Sequence, residues 1–266
     1  MAKRADERER ALSDLGRIFS DARIWSTLGW VDIRSKYRLS SLGTFWITAA
    51  MGVLAVSIGL LYGQFFNKDV SSYLPYFASG FIIWTFVSAT VTEASTSLIA
   101  YGNFIKGSQL PIVFHVLRVA HKQFIVFGHN ILVIVCVWLY YQWELEVSSL
   151  LSLVVMLLTY ISVFAASLIV AIVCVRFRDI PPLIQAVTQF LFFATPIIWD
   201  PASMRFGAFL LWANPVTSLL IVTRDPFLGR PVAPEIWVSA IAITVISSGL
   251  AASLYIRYRS RISYWV

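Results

Sequence analysis

Residues 176–201 read RFRDIPPLIQAVTQFLFFATPIIWDP, and the rest of the chain is organised around them. Two arginines and an aspartate come first, then Pro181 and Pro182. Proline is tolerated in the first turn of a helix, where its missing N–H would have no partner anyway. Asp179 stands where a side chain caps that turn. The run from Leu183 to Trp199 is apolar, broken only by Gln185, Thr188, Gln189 and the Thr195-Pro196 pair. The pattern predicts a membrane helix over about Pro182–Trp199 that starts at a basic surface and kinks near its far end.

The bulk composition agrees. Of 266 residues 58% are apolar and only 13% charged, with a mean hydropathy of +0.75. A soluble domain is nearer 25% charged. Several further runs reach the ~20 apolar residues that a bilayer crossing needs. The predicted spans are 42–66, 74–98, 124–141, 147–175 and 236–256, six with the quoted stretch. The fold class expected is an all-α integral membrane protein. Its segments are a cytoplasmic N-terminal region (1–41), a transmembrane domain (42–256) and a cytoplasmic tail (257–266).

The first 40 residues hold no short apolar segment with a cleavage site, so the first span is expected to act as its own insertion signal. Residues 1–11 are charged and expected to be irregular. From Leu12 the apolar positions Leu15, Ile18, Ala22, Trp25 and Leu28 recur at three- and four-residue steps, which predicts an amphipathic helix lying in the membrane interface. Arg34, Lys36, Tyr37 and Arg38 then form a basic, aromatic rim. Such a rim anchors a chain at a bilayer surface, and it is also a place to hold a diphosphate head group.

Charge placement tests the topology. Seventeen of the 21 Lys and Arg fall on one predicted side; Lys68, Arg205, Arg224 and Arg230 fall on the other. The positive-inside bias puts both termini in the cytoplasm. Residues 206–223, FGAFLLWANPVTSLLIVT, look like a span but carry Asn214-Pro215 at their middle. Each half covers about 12 Å as helix, too little to cross ~30 Å of hydrocarbon. A re-entrant pair of half-helices between the last two spans is expected, with Trp212, Asn214 and Pro215 at a candidate outer gate.

Catalytic chemistry finds little support. No Walker A pattern occurs, so ATP is not expected to be hydrolysed by this chain. No nucleophile elbow, zinc motif or paired-carboxylate site stands out. His115, His121 and His129 lack ligand spacing, and no metal site is expected. Cys136 and Cys174 read as buried small hydrophobes. Glu93 is the one acid well inside a predicted span; it reads as snorkelling or pairing with a basic neighbour, or as functional. Phe77, Phe81 and Trp84 form a stripe at i, i+4 and i+7 that ends near Ser88. The stripe reads either as helix packing or as the wall of a sugar path.

The RDI…Q…FF.TPIIW segment, DIRSKYRLSSLGTFW at 32–46 and RISYWV at 261–266 together resemble the membrane subunits of ABC-type polysaccharide exporters, the Wzm-like permeases. That resemblance implies a homodimer working with two ATPase subunits, which bind ATP and Mg. The chain itself would hold no cofactor and no nucleic acid. Its cargo would be an undecaprenyl-diphosphate-linked glycan, carried across the bacterial inner membrane among its lipids, with O-antigen expected first and capsule, teichoic acid or lipo-oligosaccharide as alternatives. Tyr101, Asn103, Lys106 and Gln109 map to the family's ATPase-coupling loop. Arg34, Lys36, Tyr37 and Arg38 map to head-group contacts. Arg176, Arg178, Asp179 and Pro196 carry motif positions without an assigned role. A membrane enzyme acting on lipid-linked sugars and a secondary carrier are the competing classes. The first would need a polar catalytic cluster, the second more buried charge.

Overall fold

The computed structural model describes residues 2–36, 38, 40, 43–142, 147–201 and 214–266. The helices, in chain order, are α1 (Ala2–Ser20), α2 (Ala22–Lys36), α3 (Phe45–Phe65), α4 (Val70–Ala100), α5 (Gly102–Gly107), α6 (Val113–Tyr141), α7 (Val147–Arg176), α8 (Ile180–Ala194), α9 (Pro215–Arg224) and α10 (Pro234–Trp265). No strand occurs among the described residues. Five of these helices, α3, α4, α6, α7 and α10, are long and apolar enough to cross a bilayer. Hydrocarbon offers backbone groups no partner, and a helix satisfies them internally.

The bundle is built around α4, which packs against α3, α6, α7, α8 and α9. Tyr73, Phe77, Ile83, Phe86, Thr90, Ala94 and Leu98 are buried along its length. Next to it, α7 carries α10 on its other side. The apolar faces left outward, such as Val53 and Leu61 on α3 and Val245 and Ile246 on α10, suit helices that meet lipid.

Polar contacts define two ends. At one, Asp14 of α1 accepts from Tyr255 Oη (2.8 Å) and Arg259 Nε (2.6 Å) of α10, and Arg178 Nη2 donates to the Trp265 carbonyl (3.1 Å). The N-terminal helices, α5 and the last turns of α10 therefore share this basic end. At the other, Asp69 accepts from the Ser71 N–H (3.3 Å) to cap α4, and the segment after α8 is bound by Tyr73 and Tyr76.

Several expectations change. Residues 2–11 belong to α1 rather than to an irregular tail; Arg, Glu and Ala are good helix formers. The amphipathic stretch is two helices bent at Asp21, and the Ile18 carbonyl freed there accepts from the Trp25 indole N–H (2.8 Å). The third long helix starts at Val113, not near residue 124, so Arg118 and Lys122 lie inside it. They are tolerated there because Arg118 pairs with Asp32 and Lys122 with Glu93. Cys136 is exposed rather than buried, while Cys174 is buried as expected.

The quoted stretch departs most. Instead of a kinked helix over Pro182–Trp199, α8 stops at Ala194 and has 15 residues, about 22 Å of rise. Pro196 disfavours helical geometry at Thr195, which is extended (φ −97, ψ 141). Asp179 occupies the N-cap position but makes no side-chain cap bond. Pro181 and Pro182 offer no N–H, so little is left there to cap.

Beyond Ala194 the Thr195 carbonyl accepts from the Ile197 N–H (2.7 Å), and three others are taken by side chains. Ile198 O accepts from Tyr73 Oη (2.8 Å) and Trp199 O from Tyr76 Oη (2.9 Å). Pro196 O accepts from Tyr76 Oη (3.1 Å) and from Arg224 Nη1 (2.5 Å). Arg224 is 1% exposed, so it is not the open outer charge that its sequence position suggests. Its Nε meets Asp225 at 2.8 Å, and its Cζ lies 4.0 Å from the centre of the Tyr76 ring. Arg224→Met is expected to cost about 3 kcal/mol, because Asp225 loses its partner and the Pro196 carbonyl loses one of its two donors. Tyr76→Phe is expected to cost about 1 kcal/mol. Thermal unfolding of the two variants in detergent checks the ordering.

Candidate functional site

Between α4 and α8 runs an open groove of about 580 Å³. The two helices pass antiparallel, with Thr92 and Gln185 towards the basic end and Phe81 and Phe192 towards the other. From α4, Phe81, Trp84, Ser88 and Thr92 recur at three- and four-residue steps, so one face of that helix forms the wall. Gln185, Gln189 and Phe192 do the same on α8. The Phe192 ring sits 6.1 Å from Phe81, edge-on, and 6.0 Å from Trp84.

The lining is mixed in a way that lipid cannot cover. Thr85 and Thr188 turn their hydroxyls back to Ile82 O (2.8 Å) and Ile184 O (2.7 Å), which keeps them satisfied in any solvent. Gln185 and Gln189 are exposed to the groove. A primary amide without a partner costs several kcal/mol in hydrocarbon, on the order of 4–8 by water-to-cyclohexane transfer. The groove is suited to water or a hydroxyl-rich ligand, with flat aromatic faces beside it.

Of the residues expected to line a path, Phe81, Trp84 and Ser88 do line this groove. Phe77 does not: it is 0% exposed, stacked between Tyr73 (6.2 Å) and Phe81 (5.4 Å). Gln185, Gln189 and Phe192 were not expected there. Their signal was present, since the two glutamines interrupt the apolar run at i and i+4.

At the basic end, Arg34 and Arg38 are exposed, as is Lys36, while Tyr37 lies outside the described residues. Of the coupling-loop residues, Asn103 and Lys106 on α5 and Gln109 beyond it are exposed, with Phe104 beside them. Tyr101 is held inward. Its hydroxyl donates to Asp32 (3.2 Å), and Arg118 stacks 4.4 Å from its ring centre. Burial pushes its phenol up to about 12, so it stays a donor at neutral pH. A Cβ at Gly102 would stand 2.6 Å from a Val266 methyl, so the end of α10 packs closely on α5 and that side chain would have to turn aside.

Two motif stretches meet here. Arg176 lies over the Trp265 ring (4.9 Å), and Arg178 binds the Trp265 carbonyl. Asp179 is exposed, and Pro196 lies at the opposite end. Glu93 pairs with Lys122 and accepts from Gln123 Nε2 (2.7 Å). The three histidines are apart in environment: His115 is buried, His121 packs edge-on to Trp25 (5.1 Å), and His129 Nδ1 lies 2.8 Å from Ile125 O.

Asn214 is buried and caps α9, accepting from Val216 N (3.0 Å) and donating to Thr195 Oγ1 (2.7 Å). Pro215 is its first residue, and Thr217–Arg224 are buried against α4, α7 and α10. Trp212 and the first half of the expected re-entrant pair lie outside the described residues.

Residues 24–228 match the family described as ABC-2 type transporter. Two relatives, both named O-antigen export system permease protein RfbA and both from Klebsiella pneumoniae, are similar over 235 residues. They are 23% and 21% identical to this chain, covering 86% of it and 90% of each relative.

The Asp32 junction fixes α2, α5 and α6 to one another. Asp32→Ala is expected to cost about 2 kcal/mol by stranding the half-buried Arg118. It should raise hydrogen exchange in residues 101–109 more than in α9, which amide-exchange mass spectrometry checks.

Proposed function

The chain belongs to the ABC-2 type transporter family, and on that premise we propose that it is the channel-forming subunit of an ATP-driven exporter of lipid-linked polysaccharide, O-antigen in kind. The observation that carries this reading is the α4–α8 groove, where aromatic faces and amide groups line a path along the membrane helices. Sugar rings stack on aromatic faces and exchange hydrogen bonds with amides. O-antigen is preferred to capsule or teichoic acid because the two relatives carry that name.

The parts then take these roles. Two copies face each other so that their grooves enclose one lumen. α8 and the turns of Thr195–Trp199 that follow it together make the sixth crossing. α7 delivers the chain to the basic end and α10 starts from the opposite one, so the segment between them must cross once. The bias of Lys and Arg places the basic end and both termini in the cytoplasm, with the chain in the inner membrane. Arg34, Lys36 and Arg38, with Tyr37, would meet an undecaprenyl diphosphate there. Asn103, Lys106 and Gln109 would touch an ATPase subunit, one per protomer, which binds ATP and Mg; Tyr101 supports them from behind. Asn214-Pro215, with Trp212, would form the outer gate, held shut by the Asn214–Thr195 contact.

Purification of the chain from its native membrane tests the class. A stoichiometric ABC ATPase is expected with it; a homodimer without one, under conditions that preserve complexes, would overturn the exporter reading. Ser88→Trp tests the path. It should cut glycan export at least about tenfold, equivalent to 1.4 kcal/mol, with ATPase assembly unchanged. Undiminished export would remove the groove from the route.

A further inference from the structure

At the basic end α7 and α10 leave a second cleft, of about 310 Å³. Its α10 wall is one helical face, because Leu254, Tyr258, Arg261 and Trp265 stand at i, i+4, i+7 and i+11. α7 contributes Ile172 and Arg176. The cleft is apolar along Ile172 and Leu254 and cationic at its mouth.

Those cations lack anions. Among the described residues no ion pair involves Arg176 or Arg261. Stacking on Trp265 occupies the flat face of Arg176 and leaves its N–H edge open. Arg257, over the Tyr258 ring (5.6 Å), and Arg178 add charge nearby. Among the described side chains, the acids seen to bond α10 are already engaged: Asp14 holds Arg259 and Tyr255, and Glu7 accepts from Ser260 Oγ (3.2 Å). Asp179 makes no ion pair with its neighbours.

An apolar floor, a mouth with two open guanidinium edges and flanking Trp and Tyr match one class of ligand. A phospholipid lays its acyl chain along membrane helices, its phosphate among arginines and its glycerol region beside interfacial aromatics. We propose that this cleft binds an anionic phospholipid of the cytoplasmic leaflet through its phosphate, bridging Arg176 and Arg261. The orientation assumed is that of the function proposed above. The ligand is a resident lipid rather than cargo, because the groove is walled by α4 and α8 whereas this cleft is walled by α7 and α10. Bound there, it would tie the Arg-Phe-Arg-Asp turn, and with it the start of α8, to α10.

The test uses the full chain with whatever subunits purify with it, delipidated in neutral detergent. Dioleoylphosphatidylglycerol is expected to raise the melting temperature where dioleoylphosphatidylcholine does not, and to stay bound in native mass spectrometry. Arg261→Gln removes a side chain without internal polar contacts, so it should keep the lipid-free melting temperature while weakening phosphatidylglycerol binding about fivefold, the worth of one arginine at an anionic surface. Equal effects of the two lipids, or undiminished binding by Arg261→Gln, would overturn the proposal. So would saturation by inorganic phosphate alone, which makes this a free-anion site. Displacement of phosphatidylglycerol by a lower concentration of farnesyl diphosphate would reassign the cleft to cargo and equally overturn it. The melting shift does not depend on ATPase co-purification, so failure here and failure of the exporter reading are told apart.

Discussion

A carbonyl in the membrane domain without a helix to bond to is the constraint on which the rest of this architecture turns. α8 ends at Ala194; beyond it the Thr195 carbonyl accepts from the Ile197 N–H (2.7 Å), while those of Pro196, Ile198 and Trp199 turn to side-chain donors. In a soluble protein water would take up the slack; among membrane helices protein donors must. Tyr73, Tyr76 and Arg224 are those donors. Burying a guanidinium is costly unless it is paired and fully bonded, and Arg224 has a carboxylate, a carbonyl and an aromatic face. The start of α4, the turns after α8 and α9 are thus a single cooperative unit at that end, closed by Asn214 on Thr195.

The opposite end of α8 is anchored by different physics. Cation–π stacking and one hydrogen bond hold the Arg-Phe-Arg-Asp turn on Trp265, and Val266 next to it rests on Gly102 of α5. A displacement of α5 has a continuous packed route through the end of α10 to the first turn of α8. In the proposed exporter this route joins the ATPase-facing α5 to α8, in addition to the direct continuation of the path-lining α4 into α5. Whether it transmits work depends on two discrete arrangements of that route, which a coupling energy between Gly102 and Arg176 would reveal.

Much of this was legible in the residues. Long apolar runs marked α3, α4, α7 and α10, since hydrocarbon length is a constraint written locally. The start of α6 was not, because Arg118 and Lys122 read as loop charges. Their partners Asp32 and Glu93 lie 86 and 29 residues away, beyond any local pattern. Thr195-Pro196 announced a break but not whether the helix resumed; that was decided by donors on α4 and α9. Phe77 and Phe81 share a stripe, yet only one reaches the groove, because spacing fixes a face and not what covers it. Arg224 was assigned to the outer side by its place in the chain, but its burial could not be read there, because burial belongs to the tertiary fold. Gln185 and Gln189 registered as interruptions of an apolar run, and their place across one groove from Ser88 and Thr92 needed the antiparallel fit of α8 on α4.

α8 carries a consequence of its own. Leu183, Val187 and Phe190 are exposed at i, i+4 and i+7, beside the polar stripe of Gln185 and Gln189. A helix with one lipid-compatible stripe and one polar stripe must meet two solvents at once. Lipid satisfies the first but would leave both amides unpaired at a cost of several kcal/mol each, roughly 4–8 on the cyclohexane reference. A wet space enclosed by protein satisfies the second. Among the described residues the groove is open along its length, and in the proposed exporter the enclosure comes from a second copy. A second copy meeting the first along α4 and α8 supplies it with the same polar lining and needs no additional kind of surface, which is why the proposed channel is a property of the pair and not of the subunit.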